Sequence, residues 1–166
     1  DVRMSLFRRR ILIATDPQTA GTRYRAALED DFHHFRIELV VRDGLIASLH
    51  AEAPRHPYSL CPMAADQLQL LVGTAPETSA HAVMRQVNAS QQCTHMLELS
   101  GLTAAAAARA LPQRRYDITV PLRVEGRTQA TLDRDGTRLL SWEVQDLVIE
   151  GPPPFSGIGL RQGMAR

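Results

Sequence analysis

The chain has 166 residues, 44% of them hydrophobic and 22% charged, with 19 basic against 18 acidic side chains. That length suits one domain with a single core, and the composition excludes a disordered or collagen-like chain. A balance so close to neutral, with Arg8, Arg9 and Arg10 as its only basic run, also argues against nucleic acid as a partner, since that footprint needs a clustered basic face.

No apolar run approaches the roughly twenty residues of a membrane span. The longest candidate, Ala104 to Ala108, is short and runs into Arg109, so no membrane partner is expected. Ile11 to Ala14 is likewise too brief for a secretory signal core, and a cytoplasmic location is the expectation. Met4-Ser5 reads as a natural start, leaving Asp1, Val2 and Arg3 as an appendage. The two cysteines make no disulfide framework and are expected to be free thiols in a reducing compartment.

In chain order, Leu6 to Thr15 holds the apolar run Ile11-Leu12-Ile13 before Asp16-Pro17, which predicts a strand ending in a turn. Gly21 to Glu29 is ambiguous between strand and short helix. From His33 to Val41 the residues Phe35, Ile37, Leu39 and Val41 alternate strictly, and Arg42-Asp43-Gly44 supplies a hairpin turn to a partner strand over Leu45 to Glu52. A proline-marked crossover, Ala53 to Tyr58, leads to a helix predicted from Cys61, because Pro62 suits a first helical position. Gly73 ends that helix. Ser79 is a plausible cap for about ten helical residues that include His81 and Met84, and Thr94 for a helix carrying Met96, Leu97 and Leu99 inward.

After Pro112 the period returns to two at Tyr116, Ile118 and Val120, with Pro121 marking a bulge or edge. Glu125-Gly126 and Asp135-Gly136 predict hairpin turns around Thr128 to Leu132, and a last strand runs from Thr137 to Ile149 with Trp142 as a core residue. Gly151 followed by three prolines stops it. Strands, then helices, then strands predict an α+β fold: a largely antiparallel curved sheet from an N-terminal and a C-terminal group of strands, with a central block of about three helices packed on it. The expected domain is 4–150, with 151–166 an extended Pro/Gly-rich tail.

The chemistry concentrates at two predicted helix starts. Cys61 and Cys93 each lie where unpaired N–H donors and a partial positive charge favour a thiolate. His95 and Glu98 are three apart on one helical face, and a carboxylate beside an imidazole orients it and raises its pKa, as in many general bases. A thiol within reach of that imidazole becomes an activated nucleophile. Taken singly, both cysteines read more readily as small buried hydrophobes and His95 as a satisfied core histidine; grouping is what favours function. His50 and His56 flank the loop into the Cys61 helix and Tyr58 lies within it, so all three are candidates to edge a substrate pocket. His33 and His34, adjacent on a strand, face opposite sides and read as surface or edge residues.

A Cys/His metal site is an alternative, although the chain has no CxxC pair and no metal is assigned. No phosphate loop or dinucleotide fingerprint appears, and Ser156-Gly157-Ile158-Gly159 lacks a strand-to-helix context, so no cofactor is expected.

The pattern Pro57-Tyr58-x-x-Cys61-Pro62, a Leu-rich helix closing on Gly73, and then Cys93-Thr94-His95-x-x-Glu98-Leu99 resembles a bacterial family known as domain of unknown function 2889. The resemblance spans about two-thirds of the chain. Gln92 departs from it, since the family usually has glycine before the cysteine. The resemblance implies no activity, but it ties Cys61, Cys93 and His95 together as a unit.

These residues lead to the expectation of a small cytoplasmic enzyme without nucleotide cofactor, a lyase, isomerase or hydrolase acting by acid/base chemistry on a small organic, aromatic or carboxylated metabolite. His95 is the base, Glu98 its orienting partner, and Cys61 or Cys93 a nucleophile or pocket wall. The alternative is a non-catalytic ligand-binding or assembly module, with homo-oligomerisation open, in which the Ala104 to Ala108 stripe meets a partner.

Overall fold

Phe35, Ile37 and Leu39 are 0–2% exposed because they form one face of a strand whose other face is wet, as period-two alternation requires. That strand, β3 (His34–Arg42), lies in a computed structural model that describes residues 6–161. The expected start at Met4 and the final stretch 162–166 fall outside the described residues.

The chain divides into two compact units, of which the larger is Arg10–Arg115. Its sheet has the order β4-β3-β2-β1, with β1 Phe7–Gln18, β2 Gly21–Glu29 and β4 Leu45–Arg55. Every pairing in it is antiparallel: Ile13 opposes Ala26, Ala26 opposes Ile37, and Leu39 opposes Leu49. The ambiguous segment from Gly21 is thus a strand, decided by tertiary pairing that puts Tyr24, Ala26 and Leu28 into the core with Ile11 and Ile13. The β3–β4 turn has Asp43 at φ 52° and Gly44 at φ 77°, the left-handed pair that a two-residue hairpin matching sheet twist demands.

Two helices follow, α1 (Ala64–Gln67) and α2 (Thr94–Ala108). α2 packs on β2 and β3 with one side and on the 80–85 turn with the other, so apolar residues surround it instead of forming a stripe. Met96 and Leu99 are fully buried, and Ala104, Ala105 and Ala106 are 3–7% exposed. That half of the alanine stripe is therefore inside the core and unavailable to a partner. Ser100 and Thr103 are buried without cost because their hydroxyls donate to the Leu97 and Leu99 carbonyls at 2.8 and 2.6 Å. Gly101 is where the 80–85 turn comes closest: a Cβ there would lie 2.2 Å from the Ala80 carbonyl oxygen.

The helical block is smaller than the sequence predicts. The segment after Cys61 is one turn of α-helix, then a 3₁₀ turn over Leu68–Leu71. It stops there because the backbone is drawn onto β4: Gly73 N–H donates to Ile46 O and Ile46 N–H to Thr74 O, at 2.8 and 2.9 Å. Ser79 precedes a six-residue 3₁₀ turn, Ala80–Arg85, and makes no side-chain cap. The cap of α2 is Cys93, not Thr94.

The second unit carries β5 (Gln113–Val120) from Tyr116 on, β6 (Arg127–Arg134), β7 (Thr137–Gln145) and β8 (Val148–Gly151), paired antiparallel in that order. Both expected turns form, with Glu125 and Asp135 at φ 50° and 52°. A third turn at Asp146, φ 52°, splits the last expected strand, since its N–H is taken by the Gly126 carbonyl at 2.8 Å. Trp142 is half-buried against Phe155, ring centroids 5.3 Å apart. Residues 152–160, read from sequence as part of an extended tail, fold back along β8: Ile149 N–H donates to Ile158 O at 3.0 Å and Leu160 N–H to Leu147 O at 2.8 Å.

The α+β assignment holds at this level: antiparallel strands, an intervening helical segment dominated by α2, then antiparallel strands. Among the described residues no helix is long and apolar enough to cross a membrane.

Candidate functional site

The β2–β3 connection is built around Asp30, which lies just beyond β2 and is 5% exposed. One of its carboxylate oxygens, Oδ1, accepts from the backbone N–H groups of Phe32 and His33, both at 2.9 Å, and from the His33 ring at 2.8 Å. The Asp30 N–H donates to His33 O at 3.0 Å, closing a turn of the kind that a short acidic side chain stabilises by capping its own backbone. Arg55 at the end of β4 adds a clamp, donating from Nη2 to Asp30 O at 2.7 Å and His33 O at 3.3 Å.

His33 is consequently not a surface residue: it is 8% exposed. A carboxylate only accepts, so Nδ1 carries the hydrogen and Nε2 is left as the basic nitrogen. Its ring lies against His95, centroids 4.0 Å apart at 39°, and against Phe35 at 5.4 Å.

The thiols reach this place from two other segments. Cys61 sits in a tight turn before α1, its N–H donating to Tyr58 O at 3.0 Å, and is 6% exposed. Cys93 is extended at φ −72°, ψ 119°, and its carbonyl accepts the first bond of α2 from Leu97 N–H at 2.9 Å. Cys93 is half-buried, and both thiols are free. The two thiols are near enough for Cys93 to perturb Cys61.

Sequence reasoning expects Cys61 to be acidified by a helix start, and the structure reverses that sign. Burial pushes its thiol up, the neighbouring Cys93 pushes it further, and backbone N–H donors at Tyr58 and at Cys61 itself oppose them only in part. The reason is local: α1 has only four residues and offers little dipole, whereas desolvation disfavours any thiolate.

His33, Tyr58, Cys61, Gln92, Cys93 and His95 all line one cleft of about 450 Å³, with Leu60, Ala64, Ser90, Gln91 and Thr94 completing it. The convergence expected for Cys61, Cys93 and His95 is thus found, with Tyr58, 72% exposed, at its mouth. Glu98 is exposed on α2 and is not in the lining. His56 turns its Nδ1 to Ala53 O at 2.7 Å. His50 is on β4, 3.2 Å from Glu52 through Nε2, and borders a separate depression on the outer sheet face with Arg25 and Arg36.

Three contributors carry no site role in the sequence reading. His33 and Asp30 sit at a polar strand edge that reads as solvated, although Asp30-x-x-His33 between two alternating runs is the spacing of a side-chain-capped turn. Gln92 is the third: both its Nε2 and its Oε1 are buried without a hydrogen-bond partner. Among the described residues no three His, Cys, Asp or Glu side chains are grouped as a metal ion would need.

The model of the protein of unknown function family DUF2889 matches residues 13–109. That is more than half of the chain and includes every residue of the cleft, and the chain belongs to this family. No curated protein matches it.

Proposed function

We propose that this member of the DUF2889 family is a small cytoplasmic enzyme that moves a proton to or from a small organic ligand, of lyase, isomerase or hydrolase type, in the cleft between Cys61, Cys93 and the two stacked histidines. The observation that carries the reading is the buried Asp30–His33 pair, 2.8 Å apart, set against His95 in a cavity of about 450 Å³. Polar groups held at this depth disfavour folding unless they are used or satisfied, and a carboxylate-oriented imidazole is the usual construction of a general base.

In this scheme His33, fixed as the Nδ1–H tautomer by Asp30, accepts the proton at Nε2. His95 is its proton-transfer partner, with Glu98 one turn along α2 as the carboxylate that orients it. Cys61, kept protonated by burial, acts as wall and weak donor and not as the nucleophile. The unpartnered Gln92 amide presents one donor and one acceptor side by side, which suits a ligand carboxylate or carboxamide. Tyr58 contributes its hydroxyl at the mouth.

A pooled set of small carboxylic and aromatic acids incubated with the enzyme in D₂O tests this by proton NMR. Loss of a carbon-bound proton signal from one component, slowed roughly a hundredfold or more by His33→Asn or His95→Ala, supports the reading. If an identified substrate turns over equally well with His33→Asn, His95→Ala, Cys61→Ser and Cys93→Ser, the roles are wrong. Saturable binding without turnover favours the ligand-binding module, for which Gln92 is the specific indication.

A further inference from the structure

We propose that Cys61 and Cys93 are a peroxide-oxidisable dithiol that closes to an intramolecular disulfide across the wall of the cleft. Two independent features of the geometry lead there. The two cysteines come from segments 32 residues apart in sequence, yet both line the same open cavity, where the thiols are close enough for Cys93 to perturb Cys61. Each backbone is held from its own side, Cys61 by the Tyr58 carbonyl at 3.0 Å and Cys93 by the first bond of α2 at 2.9 Å, so the encounter is built into the fold.

The thiols are unequal, which assigns the order of events. Cys93 is half-buried and reachable from the cleft, whereas Cys61 is buried. A hydroperoxide entering the cleft meets Cys93 first. Its sulfur attacks the peroxide, an S–O bond forms as the O–O bond breaks, and the proton from Cys93 leaves with the departing oxygen as water when the oxidant is hydrogen peroxide. Cys61 sulfur then attacks the sulfenic sulfur, the S–O bond breaks, and the Cys61 proton leaves with the hydroxyl as a second water. Overall the two thiols lose two electrons and two protons, and the peroxide takes them up. His33 and His95, on the same lining, accept and return the proton in each step.

Burial of Cys61 matters here because a resolving thiol shielded from solvent escapes oxidation itself and is spent only on its partner. The resulting bond ties the turn before α1 to the cap of α2 and removes both S–H groups from the cleft. Nothing in this sequence depends on the cleft's reaction, so it stands or falls separately from the proton-transfer reading.

The test is thiol counting by intact mass on the whole reduced chain. After treatment with a small excess of hydrogen peroxide, denaturation and alkylation, the wild type should lose the mass of two hydrogens, take up no alkyl group, and regain both alkylation sites after dithiothreitol. Cys61→Ser should instead trap a sulfenic acid at Cys93, labelled by dimedone, and Cys93→Ser should react several-fold more slowly. The wild-type readout needs neither variant to fold. Two alkylated cysteines after peroxide, a disulfide found only between chains on a non-reducing gel, or wild-type Cys93 passing to sulfinic acid as fast as in Cys61→Ser would each overturn the proposal.

Discussion

The His33 ring donates through Nδ1 to Oδ1 of Asp30 over 2.8 Å, and that same oxygen gathers the backbone N–H groups of Phe32 and His33 at 2.9 Å each. One carboxylate oxygen thus sets the turn and the imidazole together. Asp30→Ala leaves three donors without this acceptor, the two on His33 buried, and is expected to lower unfolding free energy by about 3 kcal/mol, whereas Asp30→Asn, which keeps an acceptor oxygen, should cost about 1 kcal/mol. Urea denaturation of both variants checks this, and equal losses would show that an acceptor at this position is not what holds the turn.

Arg55 restrains that turn from outside. Its Nη2 donates to the carbonyls of Asp30 and His33 at 2.7 and 3.3 Å and to Glu29 at 3.1 Å. The side chain is about half exposed, so the ion pair contributes little and the carbonyl bonds matter more. Arg55→Ala should therefore cost only about 1 kcal/mol, yet raise amide hydrogen exchange at Phe32 and His33 selectively. Uniform acceleration across β3 would contradict a local clamp.

How far the sequence reveals these features depends on the range of the interaction responsible. Asp43-Gly44, Glu125-Gly126 and Asp135-Gly136 are turns set by adjacent backbone angles, and Phe35, Ile37 and Leu39 form a face set by pleat; both kinds are local and legible. Cys61, Cys93 and His95 were singled out from local patterning around two predicted helix starts, and the fold brings them to one cleft. The length of the helix after Cys61 was not legible, because it is ended by Ile46 on another strand. His33 was hidden for a similar reason. Alternation counted back from Phe35 puts it on the inward face, but the polar His33-His34 pair at the strand edge reads as solvated, and only the Asp30 turn, clamped by Arg55 from a third segment, supplies the partner that keeps the ring buried. The sign of the Cys61 perturbation was missed because desolvation is a property of packing, which neither Pro62 nor any neighbour in sequence encodes.

Burial first and Cys93 second push the Cys61 thiol above the ordinary thiol range, which fixes a pH dependence. A raised acid holds its proton more tightly in the folded chain than in the unfolded one. Its contribution to stability is full below the unfolded thiol pKa and is lost as pH rises through the folded value. The melting temperature of wild type should then fall faster than that of Cys61→Ser as pH climbs through the alkaline range, with parallel curves at neutral pH. Iodoacetamide should label Cys93 before Cys61 at neutral pH. Preferential labelling of Cys61 would refute the buried, protonated state.

α2 and the 80–85 turn meet at Gly101, where a Cβ would stand 2.2 Å from the Ala80 carbonyl oxygen and 3.1 Å from its carbon. The obstacle is backbone and cannot rotate away. Gly101→Ala improves helix propensity by about 1 kcal/mol, but overpacking against an immobile group costs about 1–3 kcal/mol. The expected outcome is net destabilisation of up to about 2 kcal/mol by urea unfolding, relayed to the cleft because α2 carries Cys93 and His95 at its start. A stabilised variant would mean that the turn yields.

The other end of α2 stores a correctable strain. Leu111 N–H donates to Ala106 O at 3.1 Å and Ala110 N–H to Ala107 O at 3.0 Å, the crossed pair of bonds that closes a helix when the residue after the cap is left-handed. Ala110 holds that conformation at φ 50°, where a Cβ is opposed by the following carbonyl at a cost of about 1–2 kcal/mol. Ala110 is exposed, so removing its methyl group loses little packing. Ala110→Gly should stabilise the chain by about 0.5–1 kcal/mol, the conformational relief exceeding the added freedom of the unfolded state. The control is Ala107→Gly one turn earlier, where the backbone is right-handed and the same change should destabilise by about 1 kcal/mol. Opposite signs in urea denaturation would locate the strain at Ala110, and a loss of stability in both variants would place the helix end elsewhere.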